Sequence, residues 1–292
     1  MKWKRDAGLS GRIFLTWALL LLVYLAFMAI LMALGLPYFF IIFIAIAMGL
    51  VQYFFSDKLV LMSTGAKVVE YDEQPGLHQT IERLCMEADV PKPRIAVMHS
   101  PMPNAFATGR SPSNAVVAVT DSIMQTLNRE ELEAVLAHEL SHIKNRDILT
   151  MTIASFVAMI ASMIMNNFLF ASIFSGREQG GAWIIAGIAA AVVWVIATIL
   201  MMALSRYREF AADRGAAYIT NNPDALISAL NKISGKMERL PTQTKVAAEG
   251  ANAFYIIPAL SGKTLAGLFS THPALEKRIE NLEKVKAEIR GY

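Results

Sequence analysis

The chain has 292 residues, of which 55% are hydrophobic and 17% charged, with a net charge of +3. Soluble domains carry about 25% charged residues. This composition therefore excludes a disordered chain, a nucleic-acid binder and a secreted disulfide scaffold. Cys85 is the single cysteine, so no intramolecular disulfide ties the fold to an oxidising compartment. The length allows one or two domains.

No charge falls between Ile13 and Ser56, a run of 44 positions. A spanning helix needs about 20 apolar residues, so the run has room for two. Gly35-Leu36-Pro37 is the natural break, because proline cannot continue the helical hydrogen-bond ladder. The basic start and the Ala33-Leu34-Gly35 triplet imitate a signal peptide. The apolar run is longer than the roughly 7–15 residues of such peptides, which makes it a retained anchor. A second uncharged pair runs from Ile148 to Gly176 and from Gln179 to Ser205, interrupted by Arg177-Glu178. Its Ser162, Asn166 and Asn167 suit lipid less well, so burial in a helical core is the alternative for that pair.

Four spans place the N-terminus, residues 57–147 and residues 206–292 on one side, with 26 of the 27 Lys and Arg. Only Arg177 is left across the membrane. Lys58, Lys144, Arg146, Arg206 and Arg208 all flank span ends, and such a positive excess marks the cytoplasmic side. The expected fold is an α-helical multi-pass membrane protein with about four transmembrane helices and a cytoplasmic α+β domain. Its parts are a two-helix anchor (1–56), a first cytoplasmic part (57–147), a second helix pair (148–205) and a C-terminal cytoplasmic part (206–292).

Within the first cytoplasmic part, Leu77, Ile81, Leu84, Cys85 and Ala88 recur at helical spacing, which makes Cys85 a core residue. Pro91 and Pro93 end that helix. Three short runs predict strands over Arg94–His99, Asn104–Thr108 and Ala115–Thr120. Asn128 followed by Glu131 predicts a helix start with a capping box. That helix is expected to run through Arg146 and pass almost directly into the third span. In the C-terminal part, a helix from Arg206 to Ile219 continues the fourth span. Asn222-Pro223 opens another. Pro273 opens a last one, striped by Leu275, Ile279, Leu282, Val285 and Ile289. Residues 241–270 read as an irregular loop.

The chemistry lies in His138-Glu139-Leu140-Ser141-His142. Two His at i and i+4 stack on one helix face and can present two imidazoles to one Zn²⁺. Glu139 stands beside them, placed to take a proton from the attacking water. A catalytic zinc needs a third protein ligand and one open position. Glu209, on a predicted helix, is the best candidate, with Asp213 one turn on to orient a ligating imidazole. His78 and His99 show no metal pattern. Glu209 can meet the two His only if an even number of crossings separates residues 142 and 209, and two are predicted.

These features, with Asn104-Ala105-Phe106-Ala107-Thr108-Gly109 and Thr271-His272-Pro273, resemble the HtpX-type membrane metalloproteases, a family that also contains the CAAX prenyl proteases. The resemblance covers essentially the whole chain. It implies a gluzincin-like catalytic domain, one Zn²⁺ per chain held by His138, His142 and Glu209, and Glu139 as general base. It further implies cleavage of misfolded or damaged membrane proteins, in stress-related quality control at a prokaryotic plasma (inner) membrane. The partners are then protein or peptide substrates and the lipid bilayer, with no nucleic acid. Asn104, Ala105 and Phe106 would lie in an edge strand that takes up extended substrate; an ordinary hairpin is the other reading. His272 would steady the oxyanion, or else cap or pack. Asp147 is either a partner of the metal site or a helix cap. The alternatives in function are a CAAX-type prenyl protease and a non-hydrolytic membrane zinc-binding or transport protein. Transporters keep polar groups at mid-membrane, whereas this motif lies outside the uncharged spans.

Overall fold

The structure, a computed structural model, describes residues 6–33, 38–174, 181–241, 243 and 272–291. The Gly35–Pro37 break, the Arg177 interruption, Thr271 and nearly all of the 241–270 loop lie outside the described residues. The chain divides into two compact units, one of residues 6–54 and 150–204, the other built mainly of residues 55–149 and 205–292.

Among its described residues the first unit is built of helices. Helix α1 (Ala7–Ala33), most of α2 (Tyr38–Thr64), α6 (Asp147–Phe174) and the apolar part of α7 (Gly181–Thr220) supply it. Its interior gathers Leu20, Phe27 and Leu31 with a row of small residues, including Ala154, Ala158, Ala161, Ala186, Ala190 and Ala197. Small side chains let helix backbones approach closely, the packing that works where lipid offers no hydrophobic drive. Large apolar side chains such as Phe14, Leu22 and Ile188 face outward. Among the described residues, Ala7–Ala33, Asp147–Asn166 and Ile184–Thr220 are long and apolar enough to cross a membrane, and α2 adds the shorter apolar stretch Ile46–Phe55. Helix α7 has 40 residues, about 60 Å at 1.5 Å each, twice the hydrocarbon thickness of about 30 Å. Its charged end, from Arg206 onward, therefore continues well past the uncharged stretch.

The second unit is α+β. A four-stranded sheet has the order β1-β2-β4-β3, with β1 (Lys67–Val68), β2 (Arg94–Met98), β3 (Ala105–Gly109) and β4 (Ala115–Thr120). The sequence pattern predicts three strands; the two-residue β1 adds a fourth, too short to leave a periodic signal. Strand β4 runs parallel to β2 and antiparallel to β3, and every residue of it is buried. Its Ala-Val-Val-Ala-Val-Thr run is what a strand covered on both faces requires. One face, with Ile95, Val117 and Val119, packs on α3 (Pro75–Ala88), α5 (Arg129–Lys144), α8 (Pro223–Arg239) and α9 (Leu275–Arg290). The other face, with Ala96, Phe106 and Ala118, packs on Val60 and Leu61 of α2. The short α4 (Asp121–Thr126) leads from β4 to α5, capped by the Thr120 side chain.

Helix α5 starts as its sequence dictates. Asn128 Oδ1 accepts from the Glu131 N–H at 2.9 Å and Glu131 Oε2 accepts from the Asn128 N–H at 2.8 Å. Its end departs from the expected course. The helix stops at Lys144 instead of running through Arg146, because Arg146 adopts a left-handed φ of +54°. Helix α6 then begins afresh at Asp147. The last helix likewise begins at Leu275, two residues after Pro273, and its stripe packs inward, with Leu282 and Val285 fully buried.

Candidate active site

The spacing of His138 and His142 brings the rings into edge-on contact, with centroids 4.7 Å apart and Nε2 atoms 3.2 Å apart. Helix α7 delivers Glu209 to the same point. Its carboxylate oxygens lie 3.6 Å from His138 Nε2 and 3.4 Å from His142 Nε2. A tetrahedral metal with bonds of about 2.0–2.1 Å sets its ligand atoms about 3.3–3.4 Å apart. The two Nε2 atoms stand close to that edge length, each faces a different oxygen of the Glu209 carboxylate, and a donor set of two imidazole nitrogens and a carboxylate suits zinc. His138, His142 and Glu209 are thus a group able to hold a metal ion.

Each histidine is held from behind. His138 Nδ1 lies 3.0 Å from Asp213 Oδ1, and Asp213 is fully buried. His142 Nδ1 lies 2.5 Å from Asp147 Oδ2. A proton on each Nδ1, facing its carboxylate, leaves the Nε2 lone pair turned toward Glu209 and fixes the tautomer. Two arginines stand behind the carboxylates. Arg278, 1% exposed, donates Nε–H to Asp213 Oδ2 and Nη2–H to Oδ1, at 2.9 and 2.6 Å. Arg208 Nε lies 2.9 Å from Asp147 Oδ1.

Glu139 is also buried, on the side facing β3. Burial pushes its carboxyl above the ordinary glutamate range, against the pull of the two imidazoles and the Ala107 backbone N–H that donates to it. A carboxylate so raised is better matched to proton transfer near neutral pH. Strand β3 lies at the sheet edge against α5. The Thr120 N–H donates to the Asn104 carbonyl at 2.9 Å. By the alternation of an antiparallel ladder, the main-chain groups of Ala105, Ala107 and Gly109 point away from β4. Asn104 sits just before the strand and is buried, as are Ala105 and Phe106. His272 Nδ1 lies 3.1 Å from Glu209 Oε2, at the rim of the ligand group. His78 bonds the Val69 carbonyl and His99 bonds Asp121, both away from the site.

Sequence reasoning passed over Arg208 and Arg278. The second left a trace: Leu275, Arg278, Leu282, Val285 and Ile289 are spaced by three and four, so one charge stands inside the apolar stripe. A charge at a core position demands a buried partner.

The profile of peptidase family M48 matches residues 72–286. A protease HtpX homolog 2 from Methanosarcina acetivorans is 52% identical to the chain over 99% of both. The chain belongs to peptidase family M48. A protease HtpX homolog from Moorella thermoacetica is likewise 52% identical, over 97% of this chain and 96% of its own. The crystal structure of S. mikatae Ste24p matches with a TM-score of 0.56 at 19% identity, over 92% of this chain and 64% of that longer one. It shares the fold of this M48 protein. The family and the HtpX relatives make the protein an HtpX-type metalloendopeptidase.

Proposed function

We propose that this M48 protein is a zinc-dependent, membrane-anchored endopeptidase in which His138, His142 and Glu209 hold the metal and Glu139 is the general base. The observation that carries the reading is the cluster of two imidazole Nε2 atoms, 3.2 Å apart, each facing one oxygen of the Glu209 carboxylate at 3.4–3.6 Å, with buried Glu139 beside them. Zinc in that position acidifies water and polarises the scissile carbonyl. Glu139 takes the proton from the attacking water and passes it to the leaving amine. Asp213 keeps the His138 ring oriented. The outward edge of β3, from Asn104 through Phe106 to Gly109, pairs with extended substrate, so that main-chain bonds rather than side chains set the register. His272, next to Glu209, is placed to help steady the oxyanion.

The 1–56 and 148–205 segments supply four spans in this reading, and residues 57–147 and 206–292 form a cytoplasmic catalytic domain at a prokaryotic plasma membrane. The flanking Lys and Arg support that orientation. Substrates are misfolded or damaged membrane proteins, cleared as part of quality control; the HtpX relatives support this over a prenyl-protease role.

The test is a metal analysis joined to a casein-type cleavage assay. About one Zn²⁺ per chain is expected, lost in His138→Ala, His142→Ala and Glu209→Ala. Glu139→Gln retains the metal while cleavage falls roughly 10²–10⁴-fold. Full zinc in Glu209→Ala removes that residue from the ligand set, and near-parental cleavage by Glu139→Gln removes the base.

A further inference from the structure

We propose that Arg208 is a positioning residue of the metal site, acting through Asp147 on His142; the proposal rests on His142 being a zinc ligand. Three observations converge on it. Arg208 is 7% exposed, and its Nε comes within 2.9 Å of Oδ1 of Asp147, itself 4% exposed, an ion-pair approach without a well-aligned hydrogen bond from Nε or Nη1. The two oxygens of Asp147 divide their work, Oδ1 toward Arg208 Nε and Oδ2 toward His142 Nδ1. The backbone accommodates this arrangement at a cost, since Arg146 turns through a left-handed conformation that non-glycine residues disfavour.

That turn has a geometric purpose. In an unbroken helix, a residue five positions after His142 would sit about 140° around the axis from it. Its carboxylate could not reach the ring. The break after Lys144 returns Asp147 beneath His142, and Arg208 from α7 sets a buried positive charge against the far oxygen of that carboxylate. Without the guanidinium the carboxylate is free to rotate about its own bond, and the ring it orients loses its fixed aim. The pair thus does for His142 what Arg278 and Asp213 do for His138.

The experiment measures zinc affinity of the full chain in detergent by competition with a chelating dye. It compares the parent, His138→Ala, Asp147→Asn, Arg208→Gln, Arg208→Lys and the double variant Asp147→Asn/Arg208→Gln. Removal of such outer partners weakens metal binding by roughly 10–100-fold, which is the loss expected for Arg208→Gln. Arg208→Lys, which keeps the charge on a different stem, recovers part of it and guards against a variant that does not fold. Because Arg208 acts through Asp147, the double variant binds no more weakly than Asp147→Asn alone. Parental affinity in Arg208→Gln, or losses that multiply in the double variant, overturns the proposal. A parent without zinc, or a His138→Ala that keeps it, overturns the metal reading first and this inference with it.

Discussion

Arg278 and Asp213, 65 residues apart in the chain, meet in the interior as a two-pronged pair at 2.9 and 2.6 Å. The planar guanidinium matches the carboxylate edge to edge, and its third nitrogen lies 3.4 Å from Glu209 Oε2. One cation from the last helix therefore balances two of the buried acids around the histidines.

Removing that cation leaves uncompensated negative charge in the core. Arg278→Met is expected to destabilise the second unit by about 3–5 kcal/mol. Arg278→Lys should be milder, since it keeps the charge but cannot span both oxygens. Thermal unfolding in detergent reads both; an unchanged midpoint in Arg278→Met would show the pair to be dispensable.

Glu131 lies away from the histidine pair, and its stabilising role depends on pH. Burial alone would raise its carboxyl, but bonds from Lys232, Ser228 and the Asn128 N–H hold it below the ordinary glutamate range. Its stabilisation is therefore present above the unfolded-state pKa and is lost as pH falls through the lower folded value. Glu131→Gln should cost about 1–3 kcal/mol at pH 7. The gap from the parent should close as the pH falls below about 4. A gap that stayed constant with pH would assign the loss to shape rather than charge.

Cys85 packs between α3 and the sheet, and burial pushes its thiol up to about 11. It should resist alkylation at pH 8 in the folded protein and react promptly once denatured. Mass spectrometry after a timed pulse of reagent checks this, with fast native labelling as the contrary result.

A silent Cys85 makes the native chain a background for topology. With a membrane-impermeant thiol reagent on intact cells, Arg177→Cys should label and Glu280→Cys, on the exposed face of α9, should label only after lysis. Labelling of Glu280→Cys in intact cells would reverse the proposed orientation. Protection of Arg177→Cys would mean that the second pair does not cross.

What the sequence carried on its own was local. The two-imidazole face needs only the four-residue period of a helix, so His138 and His142 could be read without knowing any neighbour. The start of α5 was equally legible, because Asn128 and Glu131 satisfy each other's backbone donors within one turn. Long apolar runs announce themselves by composition, and Glu209 came into consideration as an acid on a predicted helix with Asp213 one turn on, the expected pair of crossings serving as a check.

The tertiary structure decided whatever depended on residues distant in sequence or on a backbone that breaks its own preference. Arginine is a good helix former, so nothing local forecast the left-handed turn at Arg146 that swings Asp147 back to His142. Arg208 and Arg278 read as ordinary charges on helices. Their burial follows from which carboxylates the packing of α6, α7 and α9 sets in front of them. The edge position of β3 is of the same kind, since a strand's alternation shows that it pairs but not on how many sides. Local periodicity specified the His138–His142 pair, whereas the charges set around it arise from long-range packing, because a buried ion is tolerated only where the fold brings its partner.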